Sequence, residues 1–172
     1  MATTALFLLS ALLSSALLQS VFAGVSEINL IALGDWGGIS YRPFYTPGQV
    51  KTAAGMGVVA TAKNVDFVIA LGDNFYHEGV EDENSKRFAA TWDNVYTAQS
   101  LQKPWYLIAG NHDHKGNVTG QIEYSKHNAR WNFPAPYHAH SFRSDDGQVT
   151  LDVILLDTVD LTDSSSLVMA TD

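Results

Sequence analysis

The stretch NVDFVIALGDNFYHEG, residues 64–79, contains an abrupt change of chemistry that decides the fold. An apolar run from Phe67 to Leu71 is followed directly by Gly72 and Asp73. A short continuous apolar run bounded by glycine is typical of a strand that is buried on both faces of a sheet. A carboxylate needs water or a cation, so a buried strand should end here with a charged group at its tip.

The same pattern occurs in EINLIALGD (27–35) and in KPWYLIAGNHD (103–113). The segment 48–64 between the first two runs is Ala-rich and predicts a helix. The segment 83–100 also predicts a helix, because four large apolar residues recur at helical spacing, and we interpret them as core residues: Phe88, Trp92, Val95 and Tyr96. The resulting β-α-β-α-β order predicts an α/β fold whose parallel sheet is joined by right-handed crossovers.

A hairpin is predicted near the end of the chain. YHAHSFRS (137–144) and QVTLDVILLDT (148–158) have strand-like patterns, and Asp145-Asp146-Gly147 between them is a turn signal. His138 and His140 share one face of the first of these strands. We interpret them as exposed or internally satisfied histidines of the hairpin, and the isolated His77 and His127 as surface residues.

Polar residues follow each of the three predicted parallel strands at equal intervals. Asp35, Asp73 and Asn111 are separated by 38 residues each. Ligands of open α/β sheets bind outside the carboxyl ends of the strands, so these side chains should meet at one edge. The simplest alternative is that Asp and Asn serve only as turn and capping residues there.

The group at this edge has the chemistry of a metal site, with neighbouring residues that include His112, Asp113 and His114. Carboxylate and amide oxygens suit hard cations, and imidazole suits Zn, Fe or Cu. Asp73 is on the central strand and could bridge two metal ions, a recurrent device for hydrolysing phosphate esters. Tyr76 is an unusual ligand for a divalent ion, but Fe(III) can displace the proton of a phenol.

Four short motifs resemble one enzyme family. GDWGG (34–38), GDNFY (72–76), GNHDH (110–114) and LLDTVDL (155–161) resemble, in this order, motifs of the purple acid phosphatases. The likeness is to the small, mammalian-type tartrate-resistant acid phosphatases within the calcineurin-like metallophosphoesterases. Other members of that superfamily usually carry His at the position of Gly37, so glycine favours the purple subgroup.

This resemblance implies an α/β calcineurin-like metallophosphoesterase sandwich and a dinuclear centre. Asp35 and Tyr76 would bind Fe(III), and Asp73 would bridge the two metals. Asn111 would bind the divalent ion, which is Fe, Zn or Mn. His112 would be the catalytic residue that hydrogen-bonds the substrate phosphate or assists the leaving group, with His114 behind the ligands. The implied reaction is hydrolysis of phosphate monoesters by in-line attack of hydroxide, without a phospho-enzyme.

The sequence departs from the family in one respect. The later motifs Val-x-x-His and Gly-His-x-His, which supply three histidine ligands, do not occur within residues 1–172. We therefore expect a C-terminally truncated product that is weakly active or inactive, because incomplete coordination loosens the metals. Two other functions stay open: a calcineurin-like phosphoesterase acting on diesters or nucleotides, and a secreted non-catalytic protein that retains the fold.

The first 23 residues carry no charged side chain and end in Val21-Phe22-Ala23, a small-x-small pattern. This predicts a signal peptide over 1–23 and a secreted or lysosomal protein. The alternative is a membrane anchor, which the polar residues Ser14, Ser15, Gln19 and Ser20 disfavour, so we expect no stable membrane span. Residues 24–172 would form the N-terminal portion of one metallophosphoesterase domain.

The composition of the chain excludes some classes of binding partner and of scaffold. The formal net charge of −8 argues against nucleic acid, which binds clustered Lys and Arg. The absence of cysteine from the sequence rules out a disulfide scaffold. Asn117-Val118-Thr119 is a sequon that predicts an N-glycan in a eukaryotic secretory pathway. We expect a monomer.

Overall fold

The computed structural model describes residues 26–162. The predicted signal peptide, residues 1–23, lies outside this part of the chain. Between residues 26 and 162, no helix is both long enough and apolar enough to cross a membrane.

Four parallel strands form the central sheet in the order β1-β2-β3-β4. They are β1 (Leu30–Leu33), β2 (Phe67–Ala70), β3 (Trp105–Leu107) and β4 (Trp131–Asn132). All four residues of β2 are buried, as the continuous apolar run predicts. Leu33 pairs with Ala70, and Ala70 pairs with Leu107, so the first three strands end level with one another. This confirms the predicted parallel α/β sheet with β2 between β1 and β3.

The first crossover is the predicted helix, α1 (Pro47–Ala62). It begins at Thr46, whose hydroxyl accepts a hydrogen bond from the Gln49 amide at 3.0 Å, and Pro47 occupies the first helical turn, where its missing N–H does no harm.

The second crossover differs from the regular helix predicted over 83–100. It contains a π-helical segment, Phe88–Asp93, and a single 3-10 turn, Gln99–Leu101. The Asn94 amide bonds the carbonyl of Ala89, five residues back, which is the π pattern. Tertiary contacts override helix propensity here, because the segment is held by its buried rings and by Arg87, which bonds two other loops.

The face of the sheet that carries these crossovers is packed with aromatic rings. Trp92, Tyr96, Trp105 and Trp131 are fully buried, and Trp131 stacks on Phe75 with ring centroids 5.7 Å apart. The predicted aromatic core residues are therefore core residues, with Val95 only partly buried at its margin.

The other face of the sheet is covered by the predicted hairpin. Its strands are β5 (Tyr137–Arg143) and β6 (Thr150–Leu156), which pair antiparallel. Phe142 of the hairpin stacks on Phe67 of β2 with centroids 3.9 Å apart, and Leu155 is buried beside them. The chain thus forms a sandwich of crossover segments, parallel sheet and hairpin.

Two short helices that the sequence patterns did not predict lie near the strand ends. They are α2 (Val118–Tyr124) and α3 (Thr158–Leu161). Asn117 begins α2, since its side-chain oxygen accepts the Gly120 amide at 2.9 Å while its side-chain Nδ2 donates to the Glu81 carbonyl.

Candidate metal centre

The three polar residues predicted to meet at the sheet edge do meet there. Asp35, Asp73 and Asn111 follow the ends of β1, β2 and β3 and line one cleft of about 260 Å³. Thr158 and Val159, at the start of α3, form part of its wall. The level ends of the strands explain this convergence, because each loop leaves the sheet at the same height.

Both aspartates have strained backbones. Asp35 has a φ of 56° and Asp73 a φ of 51°, in the left-handed region that residues with a side chain rarely adopt. Such strain costs on the order of 1–3 kcal/mol per residue and is typical of functional sites. The Asp35 amide bonds the Gly72 carbonyl at 3.2 Å, and the His112 amide donates to Oδ1 of Asp73 at 3.1 Å.

Two glycines allow the loops to approach one another. A Cβ on Gly110 would lie 2.4 Å from both the amide nitrogen and Oδ1 of Asp73. A Cβ on Gly37 would lie 2.6 Å from backbone atoms of Asp73, Phe75 and Tyr76. The loop after β2 therefore occupies the space that any side chain at position 37 would need, which gives a structural reason for glycine there.

Tyr76 lies against the two carboxylates. Its hydroxyl donates a hydrogen bond to Oδ1 of Asp35 at 2.6 Å. Burial raises the pKa of Tyr76 well above its usual range, and the hydrogen bonds and negative charges of Asp35 and Asp73 raise it further. The phenol therefore keeps its proton in this arrangement, and only a strong cation among these oxygens would remove it.

His112 lies beside Tyr76, with ring centroids 4.7 Å apart. Its Nδ1 is 2.7 Å from the carbonyl oxygen of His77. A carbonyl can only accept, so Nδ1 carries the proton and Nε2 presents a lone pair when the ring is neutral. His77 itself is exposed, as predicted, and His127 is exposed too.

A buried carboxylate lies beneath the cleft. Asp113 is fully buried and accepts hydrogen bonds from four donors at 2.9 to 3.1 Å: the amides of Asn74, Phe75 and Gly110, and Nε2 of Gln121. Burial raises its pKa to about 6. The carboxylate joins the loop after β2 to the loop after β3, and so fixes the backbone beside Asp73 and Asn111.

Comparison with known proteins identifies the family to which this fold and its strand-tip cleft belong. Residues 28–165 match the calcineurin-like phosphoesterases. The chain belongs to the calcineurin-like phosphoesterase family.

Relatives within this family show which kind of member the chain is similar to, the acid phosphatases. The chain is 43% identical over 164 residues to human tartrate-resistant acid phosphatase type 5, covering 94% of this chain and 49% of that protein. It is 42% identical over 95 residues to purple acid phosphatase 3 of Arabidopsis thaliana, covering 55% of this chain and 25% of that protein. The chain thus spans about half the length of the tartrate-resistant acid phosphatases that it matches. The predicted resemblance is confirmed.

One solved structure, titled "GAP50 the anchor in the inner membrane complex of Plasmodium", has the same fold with a TM-score of 0.67. It is 22% identical and covers 78% of this chain and 43% of its own. At that identity the likeness shows the fold alone, and the predicted metallophosphoesterase fold is confirmed.

In this calcineurin-like domain, Asn74 of the GDNFY motif is fully buried, and its side chain is hydrogen-bonded to other segments of the chain. Its Oδ1 accepts the Trp36 indole N–H at 3.1 Å. Its Nδ2 donates to the Ile108 carbonyl at 2.8 Å and to Oε1 of Gln121 at 3.1 Å. The residue therefore ties together the loops after all three long parallel strands.

Arg87 was not predicted as part of the site, because it lies in a charged stretch that reads as surface. It is 7% exposed and donates to the carbonyls of Gly37 at 2.7 Å and Gly79 at 3.1 Å. Its guanidinium lies 5.2 Å from the centre of the Phe75 ring. Burial lowers its pKa to about 10. The side chain joins the loop after β1 to the loop after β2, which carries Tyr76.

His114 contacts Asp157 and not the cleft. Its Nε2 is 2.6 Å from Oδ2 of Asp157, which is fully buried and also caps α3 through the amides of Val159 and Asp160. The hydrogen bond to Asp157 raises the pKa of His114. This pair joins two of the predicted motifs and holds the start of α3 against the cleft.

The donors brought together suit a hard cation. No group of three His, Cys, Asp or Glu side chains within residues 26–162 is placed to hold a metal ion. The assembled donors are instead two carboxylates, a phenol and an amide, all of them oxygens: Asp35, Asp73, Tyr76 and Asn111. Oxygen donors of this kind match Fe(III) and hard divalent ions, so the residues present fit the metals that the family resemblance implies.

Proposed function

We propose that this chain carries the N-terminal portion, residues 24–172, of a purple, tartrate-resistant acid phosphatase domain that hydrolyses phosphate monoesters. The observation that carries the proposal is the contact of the Tyr76 phenol with Asp35, beside Asp73. Turn formation alone would account for the aspartates but not for a phenol placed among them.

The residues would take these roles in the proposal. Asp35 and Tyr76 would hold Fe(III), Asp73 would contribute to both ions, and Asn111 would hold the divalent ion, Fe, Zn or Mn. Such a metal pair polarises the phosphoryl oxygens and lowers the pKa of water. The strained, hydrogen-bonded loops hold these oxygens in place before any ion binds.

His112 is the catalytic residue of the proposal. Its Nδ1 proton is directed to the His77 carbonyl, which fixes the ring and leaves Nε2 for the substrate. In its protonated form, Nε2 donates to a phosphate oxygen or to the leaving oxygen of the ester. A residue that bonds the substrate in this way needs a fixed ring, and the carbonyl provides it.

The proposal includes entry into the secretory pathway. Residues 1–23 act as a signal peptide, the product is secreted or lysosomal, and Asn117 is a candidate for an N-glycan. Asn117 is exposed on the structure. Expression in a eukaryotic secretory host, followed by N-terminal sequencing and glycosidase treatment, tests both points: a mature N-terminus at Gly24 and a mass shift are expected.

Iron loading tests the metal centre. The purified chain is loaded with Fe(III) and scanned for a visible phenolate-to-iron absorption band, with phosphatase activity on p-nitrophenyl phosphate measured in parallel. Tyr76→Phe should abolish the band, and Tyr137→Phe, which alters an exposed tyrosine, should leave it intact. A band that survives in Tyr76→Phe contradicts the assignment of Tyr76 as an iron ligand. A chain that takes up no iron and shows no band favours a non-catalytic role. Strong activity of the iron-loaded 172-residue chain contradicts the expectation of a weakened centre.

A further inference from the structure

The histidine pair of the hairpin forms a second cluster of metal-binding side chains. His138 and His140 lie on the inner face of β5, opposite Leu155 and Val153 of β6. Both side chains are half-buried between the hairpin and β3. Nδ1 of His138 is 2.9 Å from Nε2 of His140, so the two rings face one another through single nitrogen atoms.

A backbone carbonyl fixes the orientation of the first ring. Nε2 of His138 is 2.9 Å from the carbonyl oxygen of Leu107, at the end of β3. Strand β4 ends at Asn132, which pairs with Tyr106 of β3. The carbonyl of Leu107, the next residue of β3, therefore lies beyond the last residue of β4. Because that carbonyl only accepts, Nε2 carries the proton and Nδ1 of His138 is directed at His140 as a lone pair.

This arrangement is the one found around metal-bound histidine. A ligating imidazole usually donates its other N–H to a carbonyl or carboxylate, which sets the tautomer and the ring angle. Imidazole nitrogens about 2.0–2.1 Å from an ion, at angles of about 90–110°, lie about 2.9–3.4 Å apart. The observed separation is within that range. Binding would require His140 to move its proton to Nδ1 and the two rings to turn so that their lone pairs converge on the ion.

The surroundings keep both rings neutral, as metal binding requires. Burial lowers the pKa of His138 and of His140. The rings that face the pair are aromatic and uncharged, with Tyr106 4.3 Å and Phe142 6.2 Å from His140 between ring centroids, and Phe133 6.4 Å from His138.

We propose that His138 and His140 form a metal site separate from the strand-tip cleft, one that takes a single borderline divalent ion such as Cu²⁺ or Zn²⁺. In the part of the chain that the structure describes, no third His, Cys, Asp or Glu joins the pair, so water completes the coordination. Imidazole nitrogen selects these ions, whereas the oxygen donors of the cleft select harder ones, and Cu²⁺ binds tightest in the divalent series.

Copper titration of the purified chain tests the site. One equivalent of Cu²⁺ should give an electron paramagnetic resonance spectrum with hyperfine structure from two nitrogens, and calorimetry should show one histidine-dependent site. His140→Ala leaves the bond to Leu107 in place, so it should fold normally and weaken this site at least tenfold. His138→Ala also removes the bond to the Leu107 carbonyl and should weaken the copper site by at least the same factor.

Two matched variants complete the test. His127→Ala removes an exposed, isolated histidine and should leave copper affinity unchanged. Asp73→Asn alters the cleft and should also leave the two-nitrogen spectrum unchanged, which separates the two sites. Equal copper affinity in His140→Ala and the parent chain, or a spectrum lacking two nitrogens, overturns the proposal and leaves a hydrogen-bonded pair only.

Discussion

Replacing Asp113 by Asn should destabilise the whole cleft while changing only one atom. In the parent chain Oδ2 accepts the amides of Asn74 and Gly110, and Oδ1 accepts the amide of Phe75 and Nε2 of Gln121. The amide group of asparagine has one oxygen and one NH₂. Whichever way it is turned, the NH₂ faces two hydrogen-bond donors where the parent carboxylate offered an acceptor.

The magnitude follows from that count. Each buried donor left without an acceptor costs about 1–3 kcal/mol, so two of them cost roughly 2–6 kcal/mol. Asp113 is fully buried, so water cannot replace the lost acceptor without opening the loops. This is a large fraction of the stability of an ordinary domain, about 5–15 kcal/mol.

Urea denaturation followed by far-UV circular dichroism measures the difference in the free energy of unfolding. Asp145→Asn is the matched control, because it removes one carboxylate from an exposed turn position, and it should have no measurable effect. A loss below about 1 kcal/mol in Asp113→Asn, less than one unsatisfied donor would cause, refutes the conclusion that this carboxylate organises the loops.

Three further predictions concern the same loops. Gly110→Ala would place a Cβ 2.4 Å from the Asp73 amide, so the loaded protein should lose bound iron, measured by atomic absorption. Arg87→Met removes the donor to the buried Gly79 carbonyl and leaves the Gly37 carbonyl with the Tyr76 amide, so it should lower the free energy of unfolding by roughly 1–3 kcal/mol; Arg87→Lys should rescue little, since an ammonium lacks the guanidinium fork. The raised pKa of His114 means that its pair with Asp157 stabilises the fold fully below about pH 6.5 and is lost as pH rises through the folded-state pKa. His114→Gln should therefore flatten the fall in melting temperature above that pH.

Matched variants check these expectations. Gly55→Ala adds a Cβ in open space on α1, so it should keep the parent iron content, and equal iron loss in both glycine variants would refute the steric argument. Full stability of Arg87→Lys would show that charge matters more than the fork geometry. A melting temperature that falls equally with pH in His114→Gln and the parent would exclude the His114 pair as its cause.

The positions of the proposed ligand residues could be predicted from sequence because two rules act together. A short continuous apolar run followed by Gly-Asp or Gly-Asn predicts a strand that ends at that pair. The predicted burial on both faces is confirmed for β2 and is wrong for β1, whose residues are exposed or half-buried. Parallel strands share one carboxyl edge, so Asp35, Asp73 and Asn111 had to converge. The predicted hairpin and the first crossover helix were readable for the same reason, since periodicity and turn residues are local signals.

The buried polar network could not be predicted, because its partners come from distant parts of the chain. Asp113 lies beside two histidines and reads as another ligand, yet its acceptors are used by amides up to 39 residues away. Arg87 follows a lysine and reads as surface, yet it is buried against two loops. The π-helical segment after it is likewise fixed by tertiary contacts that no window of sequence contains.

These two buried charged residues explain how the strained loops can hold the proposed ligand residues in place. Asp113 holds the backbone amides next to Asp73 and Asn111, whereas Arg87 holds one carbonyl in the loop after β1 and one in the loop after β2. Each charged group hydrogen-bonds main-chain atoms and not an oppositely charged side chain. Its interactions therefore stabilise the positions of the loops. Repulsion between the cleft carboxylates and the strain at Asp35 and Asp73 would otherwise open the site. The network below the cleft therefore stabilises an arrangement of oxygens that is unfavourable without a cation, which is the condition for tight and specific metal binding.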